Sequence, residues 1–211
     1  MSDRAGTGGL AAARVPTRRE LLVAGAGAAV TSTLLAPGAA HAAGVTTAPE
    51  APAYRLHRLL RVELLVVYCY EHVLSASLLR PRARRLLLPL HGHEQAHVHL
   101  LEAELRRLGG TPPAPPASIK QANRDLARHH VGGRLGQLQG SRDALFLLLA
   151  LEQVSVGAYY VALTKLTERR LITLAAQIMA SEAQHEALIG LALNPGRAQN
   201  AVPYGFVQGI R

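Results

Sequence analysis

A chain of 211 residues carrying 23 Lys and Arg against 14 Asp and Glu, a formal charge of +9, argues for one domain of ordinary size and against a multidomain assembly. With no Trp, two Phe and a composition led by Ala, Leu, Arg and Gly, that domain is expected to be all-α and not built on a sheet. The positive balance is nearly all arginine and is scattered apart from Arg80, Arg82, Arg84 and Arg85, with few aromatics between, so it reads as a solvated helix end and not as a nucleic-acid surface.

The first 42 residues read as an export signal. Thr17, Arg18, Arg19, Glu20, Leu21 and Leu22 stand before a mildly apolar stretch to Leu35, and Ala40, His41 and Ala42 supply a small-residue cleavage site. Paired arginines followed by Leu-Leu resemble a twin-arginine signal, a route that moves proteins already folded. The stretch is too short and too rich in Gly and Ala for a membrane anchor, and no Cys lies near it to take a lipid. A form without membrane attachment is therefore expected in the periplasm, the cell wall or outside the cell. Cys69, the single cysteine of the sequence, is expected to be a packed thiol.

Residues 43–53 read as a flexible lead-in, and 54–193 as the folded domain. A first helix is expected from about Tyr54 to Leu79, stopped by Pro81, and a second from about Arg84 or Pro89 to Leu108, stopped by Gly109 and Gly110. Pro112, Pro113, Pro115 and Pro116, with scattered Gly as far as Gly140, read as a long crossover. Ser141 is expected to cap a third helix reaching about Leu166, and a fourth to run from about Glu168 to Leu193. Residues 194–211 read as an irregular tail. Two helical hairpins joined by one long connection make a four-helix bundle of the ferritin-like kind.

The chemistry is carried by a repeated pattern. Glu63 is followed seven residues later by Tyr70, and Glu152 seven later by Tyr159; Glu94 with His97, and Glu182 with His185, are the two E-x-x-H motifs of the chain. The steps from Glu63 to Glu94 and from Glu152 to Glu182 are 31 and 30 residues, so the two hairpins carry the same marks at nearly the same separation. Residues three apart share a helix face with Cβ atoms about 5 to 6 Å apart, which lets a Glu and a His grip one metal ion together. Each tyrosine lies about 10 Å along the axis from its glutamate, on the same face, where its hydroxyl could bond a ligand's neighbour or donate an electron. Leu56, Leu60, Val67 and Leu74 share the stripe of Glu63, and Ile178 and Ile189 flank Glu182 and His185, so these groups point inward. Four buried carboxylates would repel one another at several kcal/mol each, and two divalent cations cancel that charge. Four Glu and two His are the ligand inventory of di-iron and di-manganese bundles.

The strings HEQAHVHLLEAELRRLGGTPPAPP and LEQVSVGAYYVAL resemble the second and third helices of exported bacterial ferritin-like proteins, the group that includes desiccation-related proteins. The resemblance spans about Tyr54 to Leu193. It implies that Glu63 and Glu152 are terminal ligands, that Glu94 and Glu182 are bridges, and that His97 and His185 each give one metal a nitrogen. The ligand set itself, and not the resemblance, leads to the expectation of two metal ions, iron ahead of manganese, and of a candidate oxidoreductase of ferroxidase, peroxidase or catalase-like type acting on O2, H2O2 or Fe(II). The resemblance does not fix the reaction, and it leaves the oligomer open between monomer and dimer.

Two other readings compete. His93, Glu94 and His97 also spell the H-E-x-x-H of zinc peptidases, which would leave Glu63, Glu152 and the second E-x-x-H without a role. A stress-protective bundle without catalysis would carry little metal, and the presence of all six candidate ligands favours the metal reading. His91, His93 and His99 could form an accessory metal patch, and Glu71, Glu102, Glu104 and Glu186 an ion path, although histidines at exposed helix positions and charges on helix surfaces account for them as well.

Overall fold

The computed structural model describes residues 51–197 and Ala201; the expected export signal, most of the lead-in and most of the tail lie outside the described residues. Among the described residues the chain forms α1 (Pro52–Ser75), α2 (Pro81–Arg107), α3 (Ile119–Arg128), α4 (Ser141–Leu163) and α5 (Arg169–Leu193), with no strand. α1 packs against α2 and α4, and α5 against α4 and α2, which closes the four long helices into a bundle. The short α3 lies on α1 within the long connection.

Proline accounts for most of the difference between expected and observed ends. Pro81, expected to stop the first helix, instead occupies the first turn of α2, where a missing N–H is no loss. α1 ends earlier, at Ser75 in place of Leu79, because Ala76 is already extended. Pro89 lies inside α2 on an exposed position. A helix tolerates such a residue, at a cost of about 3 kcal/mol, only where packing on both sides outweighs it. Ala83, Leu87 and Leu90 before the polar layer, and Val98, Leu101 and Leu105 beyond it, are the buried apolar residues of α2 that do so. Ser141, expected as the cap of its own helix, ties the neighbouring hairpin: its hydroxyl accepts from Arg80 N at 2.6 Å and donates to Leu78 O at 3.1 Å.

The crossover contains a helix that the prolines and glycines concealed. Ser118 accepts a hydrogen bond from Gln121 N, and the Gln121 side chain accepts one from Ala117 N, a reciprocal cap that starts α3. Asn123 then holds both backbone groups of Leu135, donating to its carbonyl at 3.2 Å and accepting from its N–H at 2.8 Å. Leu135, Ala122 and Leu126 are thereby seated in the core. Replacing Asn123 with Ala leaves the buried Leu135 backbone unpaired, and urea unfolding is expected to show a loss of about 1 to 3 kcal/mol.

The apolar interior falls into two clusters. One holds Leu65, Val66, Cys69, Leu87, Leu148 and Ile189, the other Leu56, Leu60, Leu101, Leu105, Leu171 and Ile178. On each of the four long helices a buried glutamate lies near the change from one cluster to the other, so a polar layer crosses the bundle between them. Cys69 is buried as expected, and burial pushes its thiol up to about 12. α4 is long and apolar enough to cross a membrane by length and composition, yet most of that stretch is buried in the bundle.

At the end of the bundle away from the α1–α2 turn, buried Glu104 joins α2 to α5. Its carboxylate takes Arg170 Nε and Arg107 Nε, each at 2.7 Å. Arg170 first, and Arg107 after it, hold the group below the usual carboxylate range.

Candidate metal centre

Each of the four long helices delivers one fully buried glutamate to the polar layer: Glu63 from α1, Glu94 from α2, Glu152 from α4 and Glu182 from α5. His97 and His185, one turn beyond Glu94 and Glu182, are buried beside them. The ligand atoms gather into two groups, Glu63, Glu94, His97 and Glu182 in one, and Glu94, Glu152, Glu182 and His185 in the other. Within each group the atoms lie within 4.8 Å of one another. The six residues marked by the sequence pattern are thus brought together, with Glu94 and Glu182 common to both groups.

The sharing is resolved atom by atom. His97 Nδ1 faces Glu182 Oε1 at 2.8 Å, Glu94 Oε2 at 3.5 Å and Glu63 Oε2 at 3.9 Å. His185 Nδ1 faces Glu94 Oε1 at 2.7 Å, Glu152 Oε2 at 3.5 Å and Glu182 Oε2 at 3.8 Å. Each shared carboxylate gives one oxygen to each side.

The tyrosines cross between hairpins. Tyr70 donates its hydroxyl to Glu152 Oε1, and Tyr159 donates to Glu63 Oε1 at 2.5 Å. Spacing placed each phenol on the stripe of the glutamate in its own helix; its partner is the corresponding glutamate of the other half, because α1 and α4 pack side by side. Burial, and after it the nearby carboxylates, push both phenols well above their ordinary range, so they stay protonated and remain donors.

These bonds satisfy one oxygen of Glu63 and one of Glu152. The other oxygen of each, both oxygens of Glu94 and of Glu182, and Nδ1 of His97 and of His185 are buried without a hydrogen-bond partner. The imidazole nitrogens lie close to the carboxylate oxygens without meeting the geometry of a hydrogen bond. Orphaned buried acceptors of this kind are rare and costly, and here all belong to atom types that bind hard or borderline cations. The donor set therefore fits divalent metal.

The electrostatics agree. Burial, followed by the charge of Glu94, pushes Glu63 well above the usual carboxylate range; burial, followed by the charge of Glu63, does the same to Glu182. Burial would raise Glu94 too, but the imidazoles of His185 and His97 outweigh it and hold the group at about 2. His185, which burial alone would lower, is pushed up to about 12 by Glu152, Glu182 and Glu94. Without cations, the layer keeps protons to limit its negative charge.

The remaining candidates separate. His93 belongs to neither group: it is exposed, and its Nδ1 lies 3.0 Å from the outer nitrogen of His185. The zinc-peptidase arrangement, in which His93 and His97 grip one ion, is not formed. His91 stacks on Tyr70 with centroids 6.2 Å apart and His99 is exposed, so the three histidines make no common patch. Among the proposed path residues, Glu102 pairs with Arg106, Glu104 with Arg107 and Arg170, and Glu186 accepts from Gln153. The contact from His93 to His185 has no signature in spacing, since it depends on the packing of α2 against α5.

The family model for the ferritin-like domain matches residues 53–195. No curated protein matches the chain. Among solved structures, the chain is similar to a conserved hypothetical protein, rv2844, from Mycobacterium tuberculosis, at 18% identity and a TM-score of 0.55 over 67% of this chain and 89% of that one. That likeness is one of fold.

Proposed function

The chain belongs to the ferritin-like domain family, and on that premise we propose that its polar layer holds two metal ions, iron or manganese, and acts as an oxidoreductase on O2, H2O2 or Fe(II). One observation carries the reading: the partnerless donor atoms of Glu63, Glu94, His97, Glu152, Glu182 and His185 divide equally between two sets, each with one terminal carboxylate oxygen, one imidazole nitrogen and one oxygen from each shared carboxylate, while the other two buried partnerless atoms, His91 Nε2 and Ser155 Oγ, belong to neither. Glu63 and His97 would serve one ion, Glu152 and His185 the other, and Glu94 and Glu182 both. A pair of iron or manganese ions bound there supplies two-electron redox chemistry toward oxygen species or Fe(II).

The chain's own residues set the conditions for that chemistry. Tyr159 and Tyr70 fix Glu63 and Glu152 through one oxygen and leave the second directed inward. The apolar clusters on either side, with Val66, Leu148 and Leu60 fully buried, keep bulk water from the layer. The phenols of Tyr70 and Tyr159 are oxidisable groups hydrogen-bonded to two of the carboxylates and keep their protons at neutral pH.

Elemental analysis of protein purified from an iron- and manganese-replete culture is expected to give about two ions per chain. The same protein, reduced without air, is expected to be reoxidised by O2 or H2O2 in a stopped-flow optical experiment. Well under one ion per chain, or a loaded protein inert to both oxidants, would overturn the metal reading and the redox reading respectively.

A further inference from the structure

We propose that His93 is a positioning residue for one half of the metal centre, locking the His185 imidazole in the tautomer that binds metal and so making the two half-sites unequal. The inference rests on the dinuclear reading and deepens it. His185 turns Nδ1 toward Glu94, Glu152 and Glu182, at 2.7, 3.5 and 3.8 Å. A ring nitrogen that binds a metal carries no proton, so the proton of His185 must sit on Nε2.

That outer nitrogen has two neighbours, His93 Nδ1 at 3.0 Å and Ser181 Oγ at 3.3 Å. With the proton on His185 Nε2, His93 Nδ1 must accept, and His93 in turn carries its own proton on Nε2. The rings are nearly parallel, with centroids 5.3 Å apart and planes 18° from each other, so contact as well as the hydrogen bond resists rotation of His185. Ser181, one turn before His185 on the same helix, places its hydroxyl against the same nitrogen as a second, longer acceptor.

The second half-site is built differently. His97 stacks on His185 at 6.0 Å, but among the described residues no side chain hydrogen-bonds its outer nitrogen. The residue one turn before it is His93 itself, and that side chain is engaged with His185. The repeat in the sequence is thus broken at this pair of positions, His93 against Ser181, and a single exposed imidazole supports one ligand histidine and not the other.

Loss of a hydrogen bond that orients a ligand histidine lowers metal affinity by about 10- to 100-fold. Anaerobic titration of the metal-free chain with Mn(II), followed by the paramagnetic resonance signal of free Mn(II), should therefore show His93→Ala weakening one of two ions by that factor and leaving the other unchanged. His93→Gln, whose amide oxygen can accept from His185 Nε2, should restore most of the loss. The melting temperature in chelator should fall in His93→Ala by no more than the few degrees that one lost hydrogen bond is worth, because His93 is otherwise exposed. If His93→Ala leaves both ions unchanged, weakens both equally, or is not rescued by Gln, the positioning role is wrong while the dinuclear reading stands. If the unsubstituted chain takes up no Mn(II), the dinuclear reading falls and carries this inference with it.

Discussion

Metal-free protein is expected to lose stability as the pH is raised from about 5 to 8, and Mn(II) is expected to abolish that slope and raise the melting temperature by roughly 15 to 30 °C. Glu63 and Glu182 have folded pKa values raised above their unfolded value of about 4.3. Below that value both states hold the proton and the folded state is not penalised; above it the unfolded chain releases protons that the folded chain retains, so stability falls as pH rises. His185 acts with the same sign, its contribution being full below the unfolded value of about 6.5 and lost toward its folded value of about 12. Glu94 acts the other way, since its folded value is about 2, and its contribution is lost only as pH falls below the ordinary carboxylate range. The window from 5 to 8 thus belongs to the raised groups.

Cations offset the slope because they bind only the deprotonated donors of the folded chain, so their contribution grows as the pH rises. At a thousandfold excess over Kd each ion adds about 4 kcal/mol. For a chain of this length each kcal/mol moves the melting temperature by about 2 to 4 °C. Circular dichroism melts in chelator and in Mn(II), at pH 5, 6.5 and 8, check both effects. Melting curves that ignored pH and metal alike would mean that the carboxylate layer neither stores protons nor exchanges them for ions.

Much of this site was legible before any fold was known, because its signal is local. Glu94 with His97 and Glu182 with His185 are one helical turn apart, and a turn is a property of the sequence as soon as the segment is helical. The inward direction of Glu63 followed from its apolar stripe, and its burial agrees. What could not be read depends on which helices are neighbours. The phenol of Tyr70 reaches Glu152 because α1 lies beside α4, and His93 reaches His185 because α2 lies beside α5. No spacing within one helix encodes either contact.

Two departures in the fold have a similar cause. α3 was concealed because four prolines and a run of glycines surround it, although Ser118 and Gln121 carry the reciprocal cap at the proper spacing. Pro81 was assigned to the end of a helix when its fixed φ and absent N–H suit a beginning equally well. The deciding factor lay outside both helices. Ser141, from α4, binds Leu78 and Arg80 and holds the turn between them.

Replacing Glu94 or Glu182 with Ala is expected to remove tight binding of both ions, while Glu63→Ala or Glu152→Ala leaves one in place. All four residues are fully buried, so each substitution deletes the same atoms and carries a similar cavity cost, to which Glu63→Ala and Glu152→Ala add a buried phenol left without its acceptor. The difference among the variants then reports how the carboxylates are shared, not how well they are packed. Glu94 places Oε1 by His185 and Oε2 by His97, and Glu182 places Oε2 by His185 and Oε1 by His97. Removing either takes one donor from each set. Removing Glu63 or Glu152 takes one donor from one set and leaves the other with all of its own. Calorimetric titration with Mn(II) should show two ions for the unsubstituted chain, one for Glu63→Ala and for Glu152→Ala, and for Glu94→Ala and Glu182→Ala an affinity reduced more than about 100-fold at both sites, beyond the loss expected from removing a ligand's supporting hydrogen bond. If all four variants instead kept one tight ion, Glu94 and Glu182 would each serve a single metal, and the paired centre would have to be replaced by two independent sites.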